Sequence, residues 1–246
     1  MISIICATNN NKILEDELKQ TLNKQIFQDY ELIVVDTNKD KYKSAAEALN
    51  YGAKQAKGDY LLFTHHDIIM RSENELDEIV KYIKKINEFG IIGVAGISNI
   101  GEIIGNITNG IPEEKISKKE IKQPYSVQTL DEVMFIIKKD VFEKYKLDIN
   151  NKTWHLYAVE FCLKMNELNQ GVYVIPSCLY HKSAGASMNK SYFEELKRVC
   201  KIYRNKIKII NTTMGRWHTN KILLNIDILK VKTILKLIKV KKYIKN

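Results

Sequence analysis

His65, His66 and Asp67 are three consecutive residues whose side chains can bind a metal ion or exchange protons. Imidazole and carboxylate groups both suit Mn²⁺, so two histidines beside one aspartate form a reasonable ligand set. The three residues directly follow the apolar run 60–64, which predicts a buried strand. Titratable groups placed immediately after a buried strand indicate a functional role.

Two other polar groups follow predicted strands. Thr8, Asn9 and Asn10 come after the first apolar run, and Asp36 ends the second. Ligands of an open parallel sheet bind at the carboxyl ends of its strands, so we expect these side chains near His65. Taken alone, each is also typical of a turn or a helix cap. The first loop has neither the GxGxxG nor the GxxxxGK[ST] pattern, which disfavours a common dinucleotide fold and a P-loop enzyme.

The elements that must position these residues alternate between strand and helix along the first hundred residues. Apolar runs predict the strands, and apolar residues at helical spacing, such as Leu14, Leu18 and Leu22, predict the helices. This alternation predicts an α/β fold with a mostly parallel sheet flanked by helices. The predicted strands are 2–7, 31–36, 60–64 and 91–97, and the predicted helices are 13–23, 44–57 and a segment that begins at Ser72.

The pattern is less regular after residue 100. Gly, Pro and polar residues over 101–124 predict a loop or a β-hairpin. Further along, strands are predicted at 133–138, 172–176 and 178–180, and helices at 159–169 and 191–210.

Composition limits the class of protein. The chain has 246 residues, of which 45% are hydrophobic, and this supply of core residues excludes disorder over most of its length. Lys and Arg outnumber Asp and Glu by 39 to 29, a net charge of +10. Residues 221–246 hold eight lysines and one acid, Asp227, so about +7 of the excess lies there. Since the rest of the chain is nearly neutral, we expect no nucleic-acid partner.

The four cysteines are scattered and form no CxxC pair, which disfavours a zinc ribbon or a redox motif. The sequence begins without a signal-like segment and has no apolar run of membrane-spanning length. We therefore expect a cytoplasmic protein.

The tail is predicted to form a basic amphipathic helix over residues 216–246. One apolar stripe is flanked by lysines, and further apolar residues fall on the opposite side. A helix with this pattern can bind anionic lipid at the inner face of the cytoplasmic membrane. It can equally pack on the body of the protein or on a second subunit in a homodimer. The stripe is Leu224, Ile228, Val231, Leu235 and Ile238, with Lys232, Lys236, Lys239 and Lys242 beside it and Ile222, Ile226, Leu229, Val240 and Ile244 opposite.

Four segments of the first half resemble the nucleotide-binding half of the family 2 glycosyltransferases with the GT-A (Rossmann-like) fold. They are ISIICATN (2–9), YELIVVD (30–36), NYG (50–52) and AKGDYLLF (56–63). In that family one strand ends on an Asp that touches the nucleotide base, and the next delivers an Asp-x-Asp motif to a divalent metal. Here His65 and Asp67 stand at the motif positions, which resembles a His-x-Asp variant of a bacterial subgroup involved in surface polysaccharide synthesis.

Three later segments, QTLDEVMF (128–135), WHLYAVEFCL (154–163) and YHKSAG (180–185), extend the resemblance to about residue 188. Inverting members of the family deprotonate the acceptor hydroxyl with a carboxylate from an acidic pair that begins a helix. Ala158 stands where the first acid of that pair is expected. The resemblance therefore implies Glu160 as the leading candidate for the base, with Asp131 and Glu132 as alternatives.

The remaining implied roles concern the donor and the metal. His181 would complete a metal site with Asp67 and His65. Lys182 would contact the phosphates as a point charge. The residues implied for binding the nucleotide sugar are Thr8, Asn9, Asn10, Asp36, Asn50, His65, His66 and Lys182.

As a whole, the resemblance implies an inverting, metal-dependent glycosyltransferase. It would use Mn²⁺ or Mg²⁺ and a nucleotide sugar, with a UDP-sugar favoured, and would extend a glycan or lipid-linked acceptor. The implied division is a GT-A domain over 1–215, with a nucleotide-binding half (1–100) and an acceptor and metal half (125–190), followed by the tail 216–246. The alternative is a GT-A-like protein with impaired catalysis that binds nucleotide sugars or acts as a scaffold.

Overall fold

A computed structural model describes residues 1–39, 41–86, 88–183 and 188–245, with side chains up to Leu237. The strands are β1 (Ile2–Thr8), β2 (Tyr30–Asp36), β3 (Tyr60–Thr64), β4 (Ile68–Met70), β5 (Ile91–Gly93), β6 (Ala95–Ile97), β7 (Ile103–Gly105), β8 (Thr108–Asn109), β9 (Glu114–Lys115), β10 (Tyr125–Ser126), β11 (Thr129–Leu130), β12 (Met134–Lys138), β13 (Val172–Val174), β14 (Leu179–His181), β15 (Ile209–Thr212) and β16 (Gly215–His218).

The described helices lie before β5 and after β12. They are α1 (Asn11–Ile13), a π-helical stretch Leu14–Lys19 that continues into α2 (Gln20–Leu22), α3 (Ala45–Ala53), α4 (Glu75–Ile86), α5 (Lys139–Tyr145), α6 (Tyr157–Glu167), α7 (Lys190–Tyr203) and α8 (Lys221–Lys245). Ser44 caps α3, where its side chain accepts a hydrogen bond from the backbone N–H of Glu47.

The central sheet has seven strands in the order β10-β13-β5-β12-β3-β1-β2. Five of them run in the same direction, whereas β12 and β10 are antiparallel to their neighbours. The sheet is therefore mostly parallel and flanked by helices, which confirms the predicted fold class. The fourth predicted strand does not lie beside β3, because β12 pairs with both β3 and β5.

Alternate residues of β1 supply the two layers of the core. Ile5 packs with the cluster that contains α3, α5 and α6, whereas Ile4 and Cys6 pack with the cluster that contains α4 and the first helical segment. This alternation follows from the two-residue period of a strand that is covered on both faces. Because β1 is buried on both sides, the carboxyl ends of β1, β2 and β3 are held at one edge, where Thr8 pairs with Asp36 and Cys6 pairs with Thr64.

A second sheet, β4-β14-β8-β9, meets this edge. The chain leaves β3 at Thr64, turns through residues 65–67 and enters β4, which runs antiparallel to β14. In this register Ile68 lies opposite His181, so His181 is brought next to the turn. The predicted hairpin within residues 101–124 is present as β8 and β9.

The C-terminal region differs from its prediction. The helix predicted over 191–210 ends at Tyr203, and residues 209–212 pair with residues 215–218 as an antiparallel hairpin. The tail helix accordingly begins at Lys221 and not at residue 216, because the first residues of the predicted tail belong to β16.

A third core joins α6, α7, the hairpin and the start of α8. Trp217 is fully buried in it, and Leu224 and Ile228 pack there from the predicted apolar stripe of the tail. Over the described part of the chain, no helix is both long enough and apolar enough to cross a membrane. The predicted positions Ile238, Lys239, Val240, Lys242 and Ile244 lie outside the described side chains.

Candidate functional site

His65, Asp67 and His181 form a compact cluster at the carboxyl end of β3. One ligand atom from each residue lies within 4.8 Å of the others. Nε2 of His181 lies 3.3 Å from Nδ1 of His65 and 3.3 Å from Oδ1 of Asp67. Two imidazole nitrogens and one carboxylate oxygen thus converge, and this donor set suits a divalent transition metal such as Mn²⁺.

Ser183 orders the same cluster from the other side. Its hydroxyl lies 2.9 Å from Nε2 of His181, and its backbone N–H donates to Oδ2 of Asp67 at 3.2 Å. Burial opposes ionisation of Asp67, but the hydrogen bonds and charges of its neighbours, His181 foremost, hold the pKa of this carboxyl well below its usual range. Burial lowers the pKa of His65 to about 4, so its ring is neutral near pH 7 and can offer a lone pair.

His66 points away from this cluster toward β1. Its Nδ1 lies 2.8 Å from the hydroxyl of Thr8, which also accepts a hydrogen bond from the backbone N–H of Asn10. Burial lowers the pKa of His66. His66 therefore ties the turn after β3 to the turn after β1.

The cluster opens into a cavity of about 640 Å³. Strand ends from the first half form one wall, and residues from α6, α7 and the C-terminal hairpin form the other. The polar and aromatic lining residues are Asn9, Thr37, Phe63, Thr64, His65, His66, Asp67, Asp131, Glu132, Phe135, Trp154, His155, Tyr157, His181, Ser183, Tyr192, Thr212 and Thr213.

Asp131 and Glu132 line this cavity between β11 and β12. Oδ1 of Asp131 accepts from the backbone N–H of Val133 at 3.0 Å, and its Oδ2 accepts from the hydroxyl of Thr213 at 2.6 Å. Glu132 faces the backbone N–H groups at the start of α6, yet its Oε1 is buried without a hydrogen-bond partner. Burial raises the pKa of Glu132 well above its usual range, which favours the protonated acid.

Glu160 lies outside the residues that line the cavity. Its carboxylate pairs with Arg198 of α7, which also bonds Glu195 at 2.6 Å and reaches Asp148 at 3.4 Å. Burial raises the pKa of Glu160 to about 7. The structure therefore separates Glu160 from Asp131 and Glu132 and places it in a charge cluster that joins α6 to α7.

Three more residues implied for donor binding make contacts within the protein. Asn50 bonds both backbone groups of Leu147, at 2.9 and 3.2 Å. Nζ of Lys182 lies 2.5 Å from the carboxylate of Glu17, outside the cavity lining. The side chain of Asn10 caps α1 by accepting from Ile13.

Asn9 and Asp36 lie close to the cavity edge. Asn9 lines the cavity, and Thr37 lines it directly after Asp36. The carboxylate of Asp36 accepts from the side chain of Asn11 at 3.2 Å and from the backbone of Asn38 at 3.0 Å. The Asn11 hydrogen bond leads the contacts that lower the pKa of Asp36.

Several residues that line the cavity were not predicted from the sequence. Ser183 lies in the segment that was compared with the family, and its position two residues after His181 was a usable signal. Thr213 and Met214 have no such signal. The sequence predicts one helix over 191–210, and no residue pattern indicates the turn after β15.

The model of a family described as glycosyltransferase-like matches residues 3–203. A search of curated proteins finds no match to the chain.

Solved structures show the same fold at low sequence identity. GalNAc-T7 with UDP, GalNAc and Mn²⁺ gives a TM-score of 0.63 at 13% identity, over 84% of this chain and 48% of that one. S. aureus TarS 1–349 in complex with UDP-GlcNAc gives 0.59 at 18% identity, over 83% and 65%. The Pyrobaculum calidifontis mannosyltransferase PcManGT with GDP-Man and Mn²⁺ gives 0.54 at 12% identity, over 81% and 61%. This chain spans less than two thirds of the length of each.

These structures support the GT-A fold, and the family match covers most of the chain. The protein belongs to the glycosyltransferase-like family whose model it matches.

Proposed function

We propose that the protein transfers a sugar from a nucleotide-sugar donor to a glycan or lipid-linked acceptor, with inversion at the anomeric carbon, in bacterial surface polysaccharide synthesis. The observation that carries this proposal is the convergence of His65, Asp67 and His181 on the cavity, in a chain of a glycosyltransferase family. Anionic phosphates and a divalent cation would meet at the end of β3.

The three residues fit a divalent metal ion. Mg²⁺ prefers oxygen ligands, whereas Mn²⁺ also accepts imidazole nitrogen, so the donor set favours Mn²⁺. A bound ion would neutralise charge that develops on the diphosphate leaving group. His65 and His181 would hold it through imidazole nitrogens, and Asp67 would supply a carboxylate oxygen.

The donor would lie along the strand ends lined by Asn9 and Thr37. We favour a UDP-sugar because Asp36 stands at the strand end where the resembled family has an Asp that contacts uracil or another base. Two solved structures of the same fold contain UDP or UDP-GlcNAc, and a third contains GDP-Man.

Asp131 is the proposed base. It lines the cavity, whereas Glu160 is paired with Arg198 and burial raises the pKa of Glu132. The acceptor oxygen would form a bond to the anomeric carbon as the bond from that carbon to the diphosphate oxygen breaks. The acceptor proton would pass to a carboxylate oxygen of Asp131.

A division into a GT-A domain and a C-terminal tail is part of this proposal, as is a tail that rests on the inner face of the cytoplasmic membrane. The boundary at 215/216 predicted from the sequence would divide β16, so we propose that the tail begins with α8 at Lys221. Six apolar side chains of α8 are more than two-fifths exposed on the described surface, and the tail is rich in lysine. They are Ile222, Leu223, Ile226, Leu229, Ile234 and Leu237. A peripheral position would bring the cavity to lipid-linked acceptors.

The test uses the full chain and a panel of UDP- and GDP-sugars with Mn²⁺, with Mg²⁺ or with EDTA. We expect donor binding by calorimetry and transfer to a glycan acceptor by mass spectrometry, both lost in EDTA. Asp67→Ala should lose metal-dependent donor binding, whereas Asp77→Ala, at an exposed position on α4, should keep it.

Two results would contradict the proposal in different ways. If no nucleotide sugar binds with either metal, the protein does not use such donors. If donors bind but no acceptor of either class is extended, the chain is a nucleotide-sugar-binding or scaffold protein, for which the alanine at position 158 is the motivating observation.

A further inference from the structure

We propose that Thr213, in the turn of the C-terminal hairpin, is a positioning residue that orients Asp131 for proton transfer. This inference rests on the proposed function, because it takes Asp131 as the base. Thr213 lies beyond residues 3–203, the part of the chain that the family model matches. The hairpin is thereby assigned a part in the reaction.

The contacts of Asp131 fix the plane of its carboxylate. The hydroxyl of Thr213 donates to Oδ2 at 2.6 Å, and the backbone N–H of Val133 donates to Oδ1 at 3.0 Å. Hydrogen bonds to an ionised acceptor are short and stronger than neutral ones. Each oxygen keeps a lone pair, because a carboxylate can accept about four hydrogen bonds in all. Asp131 can therefore be held in one orientation and still take a proton from a substrate in the cavity.

The hairpin that carries Thr213 is anchored to the strands beneath it. Asn211 donates its backbone N–H to the side-chain oxygen of Gln128 at 2.6 Å, and its carbonyl accepts from the hydroxyl of Thr129. The side chain of Asn211 donates to the carbonyl of Asn99 at 3.1 Å. These bonds tie β15 to β11, which ends one residue before Asp131. Thr213 and Asp131 are therefore fixed relative to each other.

The other side of the turn is equally held. Trp217 is fully buried and donates its indole N–H to the hydroxyl of Thr212 at 3.0 Å. The backbone N–H of Met214 donates to the same hydroxyl at 3.2 Å. Thr212 thus serves the hairpin itself, whereas its neighbour Thr213 directs its hydroxyl to the acid in the cavity.

The chemistry of a hydroxyl fits positioning better than proton transfer. Thr213 donates to the carboxylate but is too weak an acid to exchange charge with it near pH 7. Without the hydroxyl of Thr213, Asp131 would lose one of its two fixed contacts. The loss should therefore appear in the chemical step and leave donor binding unaffected, because the donor is held at the metal cluster.

The experiment compares Thr213→Val, which keeps the shape and removes the hydroxyl, with Thr213→Ser, which keeps the hydroxyl. Thr233→Val on α8 is the matched control, because the Thr233 hydroxyl bonds only a carbonyl of its own helix in the described structure. In sugar transfer, we expect Thr213→Val to lower kcat about 10- to 100-fold with donor KM changed less than about twofold. Thr213→Ser should recover kcat to within about threefold of the starting protein.

The outcomes separate this inference from the proposed function. If the unaltered protein transfers sugar and Thr213→Val matches it, the inference is wrong and the function stands. If Thr213→Val and Thr213→Ser lose kcat equally, or lose donor binding and thermal stability together, the role is structural and the inference is overturned. If the unaltered protein transfers no sugar, both fail.

Discussion

Nδ1 of His65 lies 3.3 Å from Nε2 of His181, across the turn that joins β3 to β4. The first position of the metal motif is therefore a nitrogen donor that faces a second nitrogen donor, with Asp67 as the carboxylate beside them. Replacing this nitrogen with oxygen should change which metal is preferred, because Mg²⁺ selects oxygen ligands. We expect His65→Asp to improve donor binding with Mg²⁺ relative to Mn²⁺ by about tenfold.

Calorimetric titration of a UDP-sugar with each metal measures this ratio. His218→Asn is the control, since the ring of His218 bonds Asp227 and belongs neither to the cluster nor to the cavity lining. An unchanged ratio in His65→Asp would contradict the assignment of His65 as a ligand.

The two acids between β11 and β12 should respond differently to amide substitution. Asp131→Asn removes the proposed base and should lower kcat about 10²- to 10⁴-fold. Glu132→Gln should change kcat less than about threefold, because burial raises the pKa of Glu132 and so disfavours the carboxylate that a general base requires. Steady-state transfer assays at pH 7 measure both. The reverse pattern would identify Glu132 as the base.

The strands that carry the site were predictable from sequence because each is a short apolar run followed by polar residues. The order of the strands was not predictable, since no local pattern in β12 indicates that it lies between β3 and β5. The approach of His181 to Asp67 also depends on the pairing of β14 with β4, which is a long-range register. The family resemblance implied that His181 lies near Asp67, which the local sequence pattern could not indicate.

Helix geometry explains why Glu160 faces a different environment from position 158. Residues two apart on an α-helix point about 200° apart around its axis, so Glu160 and Ala158 lie on different sides of α6. Ala158 packs in the core beneath the sheet, whereas Glu160 meets Arg198 of α7. The hairpin with Thr213 was missed because its strands follow a helix without a glycine or proline between them.

Glu160 should make stability depend on pH. Three carboxylates, those of Glu160, Glu195 and Asp148, share the guanidinium of Arg198, and burial raises the pKa of Glu160 to about 7. The folded state then binds more protons than the unfolded state between about pH 4.5 and 7. The unfolding free energy should therefore fall as pH rises through this window, by at most about 1.4 kcal/mol per pH unit.

Urea denaturation from pH 5 to pH 8 tests this against Glu160→Gln, which cannot titrate. The difference between the two proteins should decline with pH, whereas Glu143→Gln, at an exposed position on α5, should track the unaltered protein. A difference that stays constant over the range would refute the linkage.

Asn50 should matter for stability more than for donor binding. Its side chain bonds both backbone groups of Leu147 and is buried. Asn50→Ala would leave two buried backbone groups without partners, so we expect a loss of about 1–3 kcal/mol in unfolding free energy. Donor affinity should change less than about twofold. Denaturation and calorimetry, with the exposed Asn74→Ala as control, measure both; a large loss of affinity at full stability would restore Asn50 as a donor ligand.

The tail should bind anionic membranes through the face of α8 that the body leaves uncovered. Leu224 and Ile228 are buried against the third core, whereas Ile222 and Leu229 are 72% and 67% exposed. An apolar face beside lysines lies at the boundary between lipid headgroups and acyl chains, where burial of apolar area and charge attraction add.

Cosedimentation with vesicles of anionic and of neutral lipid measures this attachment. We expect binding to anionic vesicles that weakens with added salt, and a loss of about tenfold or more in the Ile222→Ser/Leu229→Ser protein with unchanged thermal stability. Ile202→Ser, which alters an exposed isoleucine of α7, should bind as the unaltered protein does. The membrane assignment is wrong if the protein does not bind vesicles and the double substitution instead converts a dimer to a monomer in solution. The exposed face of α8 would then contact a second subunit, because the same apolar area cannot contact lipid and a partner chain at once.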